Sequence, residues 1–554
     1  MVFGLPPLHV YSRIIGGVIK ACLLWTIIAC LSRSAELLLG WEADARCMMN
    51  RRGFFQGVAS VAATISAAPL SKLLSAPVKQ GKDQIGGPIA SKAGLSSTIS
   101  ELSESIRRRS ISPVEVTRDC LARIEKLNPS LNAFITVTAD AALGQARTAE
   151  EEIQHGKWRG PLHGVPIGLK DLIDTAGVRT TAASALFKDR VPAEDAEVVR
   201  RLKEAGAVII GKQNLHEFAF GGSSIISAYG EVHNPWDVAR IAGGSSGGGA
   251  AAVACGLGFG AIGSDTGGSV REPAAFCGVV GLKPTYGRVS TRGVIPLSWS
   301  LDHVGPIVGT VSDAAILLRA IAGYDPGDIA SADVPVGDYL TEMRKDPKSL
   351  RVGVVRAMFF EDLDPEISAA VEQALGVIRT LGAEVRDVSP PVNNDRVLLT
   401  AEAFAYHEEF VAKSPELYQP ETLRRIRSGA KVSSPEYIRL RRGMEESRRA
   451  IALFFKDVDL LITPTTPIPA PAIAELKGNP ENLRPKEILM LRNTRPINTW
   501  GVPAISVPCG FTKAGLPIGL QIVGPHWRED LVLRLAYGYE QATAWRKRWA
   551  GLVS

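Results

Sequence analysis

The stretch that most limits what this chain can fold into runs from residue 241 to 285 and reads IAGGSSGGGAAAVACGLGFGAIGSDTGGSVREPAAFCGVVGLKPT. Glycine supplies 54 of 554 residues, above the ~7% usual in globular chains, and much of the excess falls between residues 221 and 293. Without a Cβ, glycine lets the backbone turn sharply and approach other groups closely. A segment of this kind cannot make a long amphipathic helix. It must fold as short elements joined by tight turns, and it is where function should be sought.

Around it the sequence alternates. Ser112-Pro113-Val114-Glu115 is a capping box with proline at the first helical position, and it predicts a helix from 113 to about 127. Residues 164–169 read as a strand, 193–205 as a charged amphipathic helix and 207–211 as a fully buried strand. Strand, helix, strand implies an α/β protein. Helix-like (311–322, 365–381) and strand-like (350–355, 504–507, 519–523) stretches continue the pattern. With 45% hydrophobic and 22% charged residues the chain can bury a sizeable core, which excludes a disordered or collagen-like protein. No repeat or composition break divides 95–554. The expectation is a single large domain with a mixed central β-sheet covered by α-helices, residues 325–460 forming a more helical insertion.

The beginning of the chain reads differently. Residues 49–75 join Arg51-Arg52 and two phenylalanines to a small-residue apolar stretch ending near Ala-Ala-Pro and Ser-Ala-Pro. This resembles a twin-arginine export signal, with cleavage near Ala68 or Ala76. Residues 48–76 are therefore expected to be a signal peptide and 77–94 a linker to a catalytic domain at 95–554. Residues 1–47 are expected to be upstream sequence outside the natural protein, with a start at Met48 or Met49. The mature protein would be periplasmic and without a stable membrane anchor, or cytoplasmic if the signal is unused.

Charge and cysteines exclude several partners. Of the net charge of +6, residues 1–52 contribute +3, too weak a remainder to point to nucleic acid. The basic stretch 424–449 reads as a solvated helical face. Seven cysteines show neither CxxC nor Cys/His ligand spacing, so neither a disulfide framework nor a metal site is indicated.

Three chemical readings compete for the glycine-serine block. Gly258-Phe259-Gly260-Ala261-Ile262-Gly263 matches a dinucleotide fingerprint but follows an Ala-rich helical stretch instead of a strand. Gly244-Ser245-Ser246-Gly247-Gly248 fits a GxSxG nucleophile elbow, with His303, His407 or His526 as base. The third reading pairs Ser245-Ser246 with Ser269, two sites separated by one helix-like and one strand-like segment that could return them to one place. Lys170, at the end of an apolar strand, would be the base if burial keeps its amine neutral. Protons would pass from Ser269 through Ser245 to Lys170, and the Asp265-Thr266-Gly267-Gly268-Ser269 backbone could hold an oxyanion. On residues alone, tight turns and a surface lysine are an equal reading.

The block, with Gly164-Val165-Pro166-Ile167-Gly168-Leu169-Lys170-Asp171 ahead of it, resembles the amidase signature family and its Ser–cis-Ser–Lys triad. The similarity rests on GVPI–LKD, GGSSGG, DTGGS and FCGVVGLKPT. It extends to Ser112-Pro113-Val114-Glu115-Val116, the 300–306 segment SLDHVGP, PTTP at 464–467 and GVPAISVP at 501–508, about 97 to 545 in all. It implies Ser269 as nucleophile, Ser245 after a cis peptide, and Lys170 as base. The backbone N–H groups of Thr266, Gly267, Gly268 and Ser269 would form the oxyanion hole, with Ser246, Asp265 and Arg271 in support. The chain departs from the family pattern at Gly249, Ala183 and Glu272.

The implied activity is hydrolysis of a small-molecule carboxamide through an acyl-enzyme, releasing ammonia or an amine and a carboxylate. It needs no cofactor and no metal, and a homodimer is compatible with it. The alternative is the A subunit of a glutamine-dependent tRNA amidotransferase, against which the export signal argues. Substrate pockets are expected to draw on 184–188, 218–227 and 400–500.

Overall fold

The computed structural model describes residues 98–478, 480–548, 550 and 552. The expected upstream extension 1–47, export signal 48–76 and linker 77–94 lie outside the described residues. The helix started by the capping box spans Pro113–Leu131. Ser112 Oγ accepts from the N–H of Val114 (3.0 Å), and the Glu115 carboxylate takes the Ser112 N–H (2.9 Å). It runs beyond the expected end because the stop is Asn132, left-handed at φ 51° and fixed by its side-chain amide to the carbonyl of Tyr229.

The strands are β1 (Phe134–Val137), β2 (Pro166–Lys170), β3 (Val208–Gln213), β4 (Gly260–Asp265), β5 (Val280–Lys283), β6 (His303–Val308), β7 (Arg351–Val355), β8 (Glu384–Val388), β9 (Leu460–Pro464), β10 (Ala504–Phe511) and β11 (Pro517–Val523). They form one mixed sheet in the order β1-β3-β2-β4-β6-β5-β10-β11-β9-β7-β8. β3, β2 and β4 run parallel, the middle of the sheet from β4 through β6, β5, β10, β11 and β9 pairs antiparallel, and β9, β7 and β8 are parallel again. β2, β3 and β4 are buried along their whole length, as parallel strands covered on both faces must be. Among the described residues no helix is long and apolar enough to cross a membrane.

Two expectations change. Residues 325–460 are not simply a helical insertion: β7 and β8 extend the common sheet with the helix Pro365–Thr380 between them, and Val397–Lys413, Pro420–Ser428 and Ser434–Phe454 make the mainly helical part. Nor is the basic stretch wholly solvated. Arg427, Arg439 and Arg442 are exposed, but Arg425 is buried, 2.6 Å from the Phe220 carbonyl and 2.7 Å from Glu487. Arg425 sits on one helix, Pro420–Ser428, and Arg439 and Arg442 on the next, Ser434–Phe454, and composition could not tell which arginine turns inward.

Candidate active site

Because β2 and β4 are parallel neighbours in register Ile167↔Gly260 and Leu169↔Ile262, they end at the same edge of the sheet. Lys170 is the last residue of β2 and Asp265 the last of β4. The crevice beyond the carboxyl ends of parallel strands is where α/β proteins gather reactive groups. Ser245 and Ser246 reach this edge because they precede the helix Gly247–Ala254, which packs on the sheet and leads back into β4. Close packing needs glycine there: a Cβ on Gly248 would stand 2.4 Å from the Ala133 carbonyl oxygen and 2.5 Å from that of Asn214.

Lys170 Nζ lies 2.6 Å from Ser245 Oγ and 2.9 Å from Ser264 Oγ. The Gly244–Ser245 peptide is cis. The Ser246 N–H donates to the Ser269 carbonyl at 3.2 Å, and Ser246 Oγ donates to the Ser264 carbonyl, also at 3.2 Å. The structure thus brings Lys170, Ser245, Ser246 and Ser269 into one cluster, all nearly inaccessible to solvent.

Burial pushes the Lys170 amine down to about 7, against the opposing pull of the Asp265 and Asp302 charges. A neutral amine at ordinary pH can take a proton from a hydroxyl. Burial works the other way on Asp265. It would raise that carboxyl, but the Arg271 guanidinium, with Lys283 and Asn498, holds it well below the usual carboxylate range.

Asp265 fixes the loop that carries Ser269. Its oxygens accept from the N–H groups of Gly268 (2.8 Å) and Val270 (3.1 Å), from Arg271 Nε (3.0 Å) and from Asn498 Nδ2 (2.8 Å). Arg271 in turn donates to the Thr494 carbonyl, Gln521 Oε1 and Asn498 Oδ1. Gly268 sits at φ 131°, and a Cβ there would fall 2.0 Å from Thr494 Oγ1. One expectation narrows here: because the Gly268 N–H is given to Asp265, it is withdrawn from the set expected to hold an oxyanion. No acceptor among the described residues takes the N–H of Thr266, Gly267 or Ser269.

Sequence reasoning passed over two contributors. Ser264 touches Lys170 directly, and its only signal was its place one residue before the end of β4. Asp302 accepts from Thr266 Oγ1 at 2.5 Å and from the N–H groups of Leu297 (2.9 Å) and Ser298 (3.0 Å), and burial raises it to about 6. Glu272, one of the departures, accepts the Gly244 N–H at 2.7 Å, so it holds the peptide next to Ser245. Ala183, another, occupies φ 57°, a conformation that favours glycine.

The other two readings of the block lose their geometry. The GxGxxG match straddles the turn after a helix and the start of β4, the reverse of strand followed by helix. His303 Nδ1 faces the carbonyls of Leu301 and Asp265, His407 faces Tyr418 and His526 the Trp500 carbonyl, so no imidazole contacts Ser245 or Ser246 among the described residues. The nucleophile-elbow alternative is corrected on that ground. The serine's partner is an amine.

A small pocket of about 40 Å³ opens on Ser269, Thr266 and Gly267. Its walls come from Ala219 to Gly221, Leu297, Arg396, Leu399, Arg484, Leu491 and Arg495. The expected 218–227 and 400–500 segments contribute; 184–188 does not, and Leu297, Arg396 and Leu399 were missed. A second concavity of about 70 Å³, bordered by Trp236, Phe259 and Trp545, contains none of Lys170, Ser245, Ser246 and Ser269.

Known proteins match over most of this length. The family model described as Amidase matches residues 115–533. The A subunit of the glutamyl-tRNA(Gln) amidotransferase from Geobacter sp. (strain M21) is 42% identical over 484 residues, 82% of this chain and 99% of that protein. Among solved structures, 6-aminohexanoate cyclic dimer hydrolase superposes with a TM-score of 0.77 at 32% identity, covering 84% of this chain and 100% of the other. The native peptide amidase of Stenotrophomonas maltophilia gives 0.69 at 33% identity, covering 81% and 97%.

Proposed function

The chain belongs to the amidase family, and from that premise we propose that it cleaves a carboxamide with Ser269 as nucleophile, Ser245 as proton relay and Lys170 as base. The observation that carries this reading is the buried 2.6 Å contact between Lys170 Nζ and Ser245 Oγ, one residue from the Ser246 N–H that holds the Ser269 carbonyl. Ser269 Oγ bonds to the amide carbon while its proton moves through Ser245 to the lysine. The carbonyl oxygen becomes an oxyanion held by the N–H groups of Thr266, Gly267 and Ser269. Collapse breaks the C–N bond, and the leaving nitrogen takes the proton back along the same path. Water then hydrolyses the acyl-Ser269 ester, leaving a carboxylate and the free serine.

Two fates of the released ammonia are compatible with this chemistry. The matches to amidotransferase A subunits, 42% identical over nearly their whole length, favour delivery to a partner enzyme. The paired arginines at 51–52 favour export and an independent hydrolase, since the translation machinery has no use for an exported component. The test is ammonia or amine release by the purified chain from simple aliphatic and aryl amides, with no ATP and no added protein. Turnover alone in that assay supports the hydrolase. Turnover of glutamine only, and only with a partner, would support the amidotransferase reading. Cell fractionation of the native protein gives an independent answer, because recovery from the periplasm is incompatible with the amidotransferase reading.

A further inference from the structure

The pocket over Ser269 holds an uneven charge balance. Three arginines, Arg396, Arg484 and Arg495, line it, and no aspartate or glutamate does. Arg495 is buried and donates only to neutral oxygens, Asn394 Oδ1 at 2.9 Å and the Ile488 carbonyl at 3.1 Å. Arg484 has one anion near it, Glu487 at 3.4 Å, and that carboxylate stands closer to Arg425, at 2.7 Å, while also accepting from Ser223 Oγ. Glu421 is engaged by Arg424 and Arg425 and lies outside the pocket. The Arg396 side chain makes no hydrogen bond or ion pair among the described residues, although it is half-buried.

Burying guanidinium groups without counter-charges is costly. Burial, then the neighbouring arginines, pushes Arg396 and Arg484 down to about 9 and Arg495 to about 10, which restates the same crowding. Other buried or half-buried arginines are paired with carboxylates: Arg271 with Asp265, Arg201 with Glu197, and Arg425 with Glu421 and Glu487. Uncompensated arginines occur beside the nucleophile, where a substrate's own charge can complete the balance. Guanidinium forks match a carboxylate in shape and charge.

We infer that Arg396, Arg484 and Arg495 form a carboxylate subsite, and that the substrate is a short half-amide of a dicarboxylic acid, ⁻O₂C–R–CO–NH₂. The inference rests on the proposed amide cleavage and names the substrate class for that site. Hydrolysis converts the half-amide and water into the dicarboxylate and ammonium, with Ser269 forming and losing the acyl bond as above. The pocket is small, about 40 Å³, which suits an R of few carbons flanked by Phe220, Leu399 and Leu491. An α-amino acid amide such as glutamine fits less well, since its ammonium group would enter a pocket that offers three cations and no carboxylate.

The experiment compares succinamate with butyramide, a neutral amide of the same chain length, and with glutamine, using the full-length protein and measuring ammonia. The expected kcat/KM for succinamate exceeds that for butyramide by about 100-fold or more. That ratio falls at least tenfold in Arg396→Met and is partly kept in Arg396→Lys. A ratio near one in the unaltered protein, or one indifferent to Arg396→Met, overturns the inference, as does glutamine outperforming succinamate. A binding arm does not depend on turnover: Ser269→Ala should bind succinamate in calorimetry and lose that binding when Arg396→Met is added. Absent binding overturns the subsite. Binding without any turnover by the unaltered protein leaves the subsite standing and overturns the proposed hydrolysis.

Discussion

Lys170 Nζ and Ser245 Oγ stand 2.6 Å apart at the end of β2, both closed off from bulk solvent. In the proposed mechanism, a proton leaving Ser269 would have a defined recipient there. The amine must also be uncharged to receive it, which ties activity, pH and stability to a single side chain.

The triad should fail as a unit. Ser269→Ala and Lys170→Ala are each expected to lower kcat by about 10⁴-fold or more, and the double variant should be little worse than either single one. Ammonia release under saturating amide measures this. Appreciable turnover by Ser269→Ala would refute the nucleophile assignment.

Activity should rise with pH through about 7 and then level off, because below that point the Lys170 amine is protonated and cannot accept. Removing the Asp302 charge with Asp302→Asn should move this acidic limb to lower pH, since that charge favours the protonated lysine. A limb unmoved in Asp302→Asn, or one sited near the ordinary carboxylate range, would point to a different base.

The same lysine affects folding. Its amine titrates near 7 in the folded protein and near its ordinary 10.5 when exposed. Between these values the unfolded chain holds a proton that the folded chain lacks, so this group's contribution to stability improves as pH rises. Lys170→Met removes the linkage. Its stability advantage over the unaltered protein should be largest near pH 7 and shrink by about 1.4 kcal/mol per pH unit toward 10. Urea midpoints at several pH values test the slope, and a gap independent of pH would mean that the buried amine is charged.

Cutting the clamp under the nucleophile loop should cost stability as well as rate. Arg271→Met leaves the Asp265 carboxylate buried without its cation, and removal of one member of such a pair costs about 3–5 kcal/mol. Chemical denaturation reads the loss. Gly268→Ala should lower kcat too, as its methyl would collide with Thr494.

The parts legible in the sequence were those written in local chemistry. The capping box at Ser112, the apolar run ending in Lys170 and the glycine spacing around Ser245 and Ser269 each act within a few residues, and each lies where it was expected. Asp302 and Ser264 were missed because their value comes from pairing across the sheet: β6 lies antiparallel to β4, and β4 beside β2. The arginine pocket was beyond reach for the same reason. Arg396, Arg484 and Arg495 share no periodicity with one another or with Ser269, and only the folded chain assembles them.

The Asp265–Arg271 clamp is secured by Thr494, Asn498 and Gln521, more than 220 positions further along. A ribosome extends the polypeptide in one direction, so the nucleophile's loop is synthesised long before its anchors exist. A nascent chain halted between residues 499 and 520 therefore holds Lys170, Ser245 and Ser269 and two of the anchors, and still lacks the Gln521 oxygen that takes the Arg271 guanidinium.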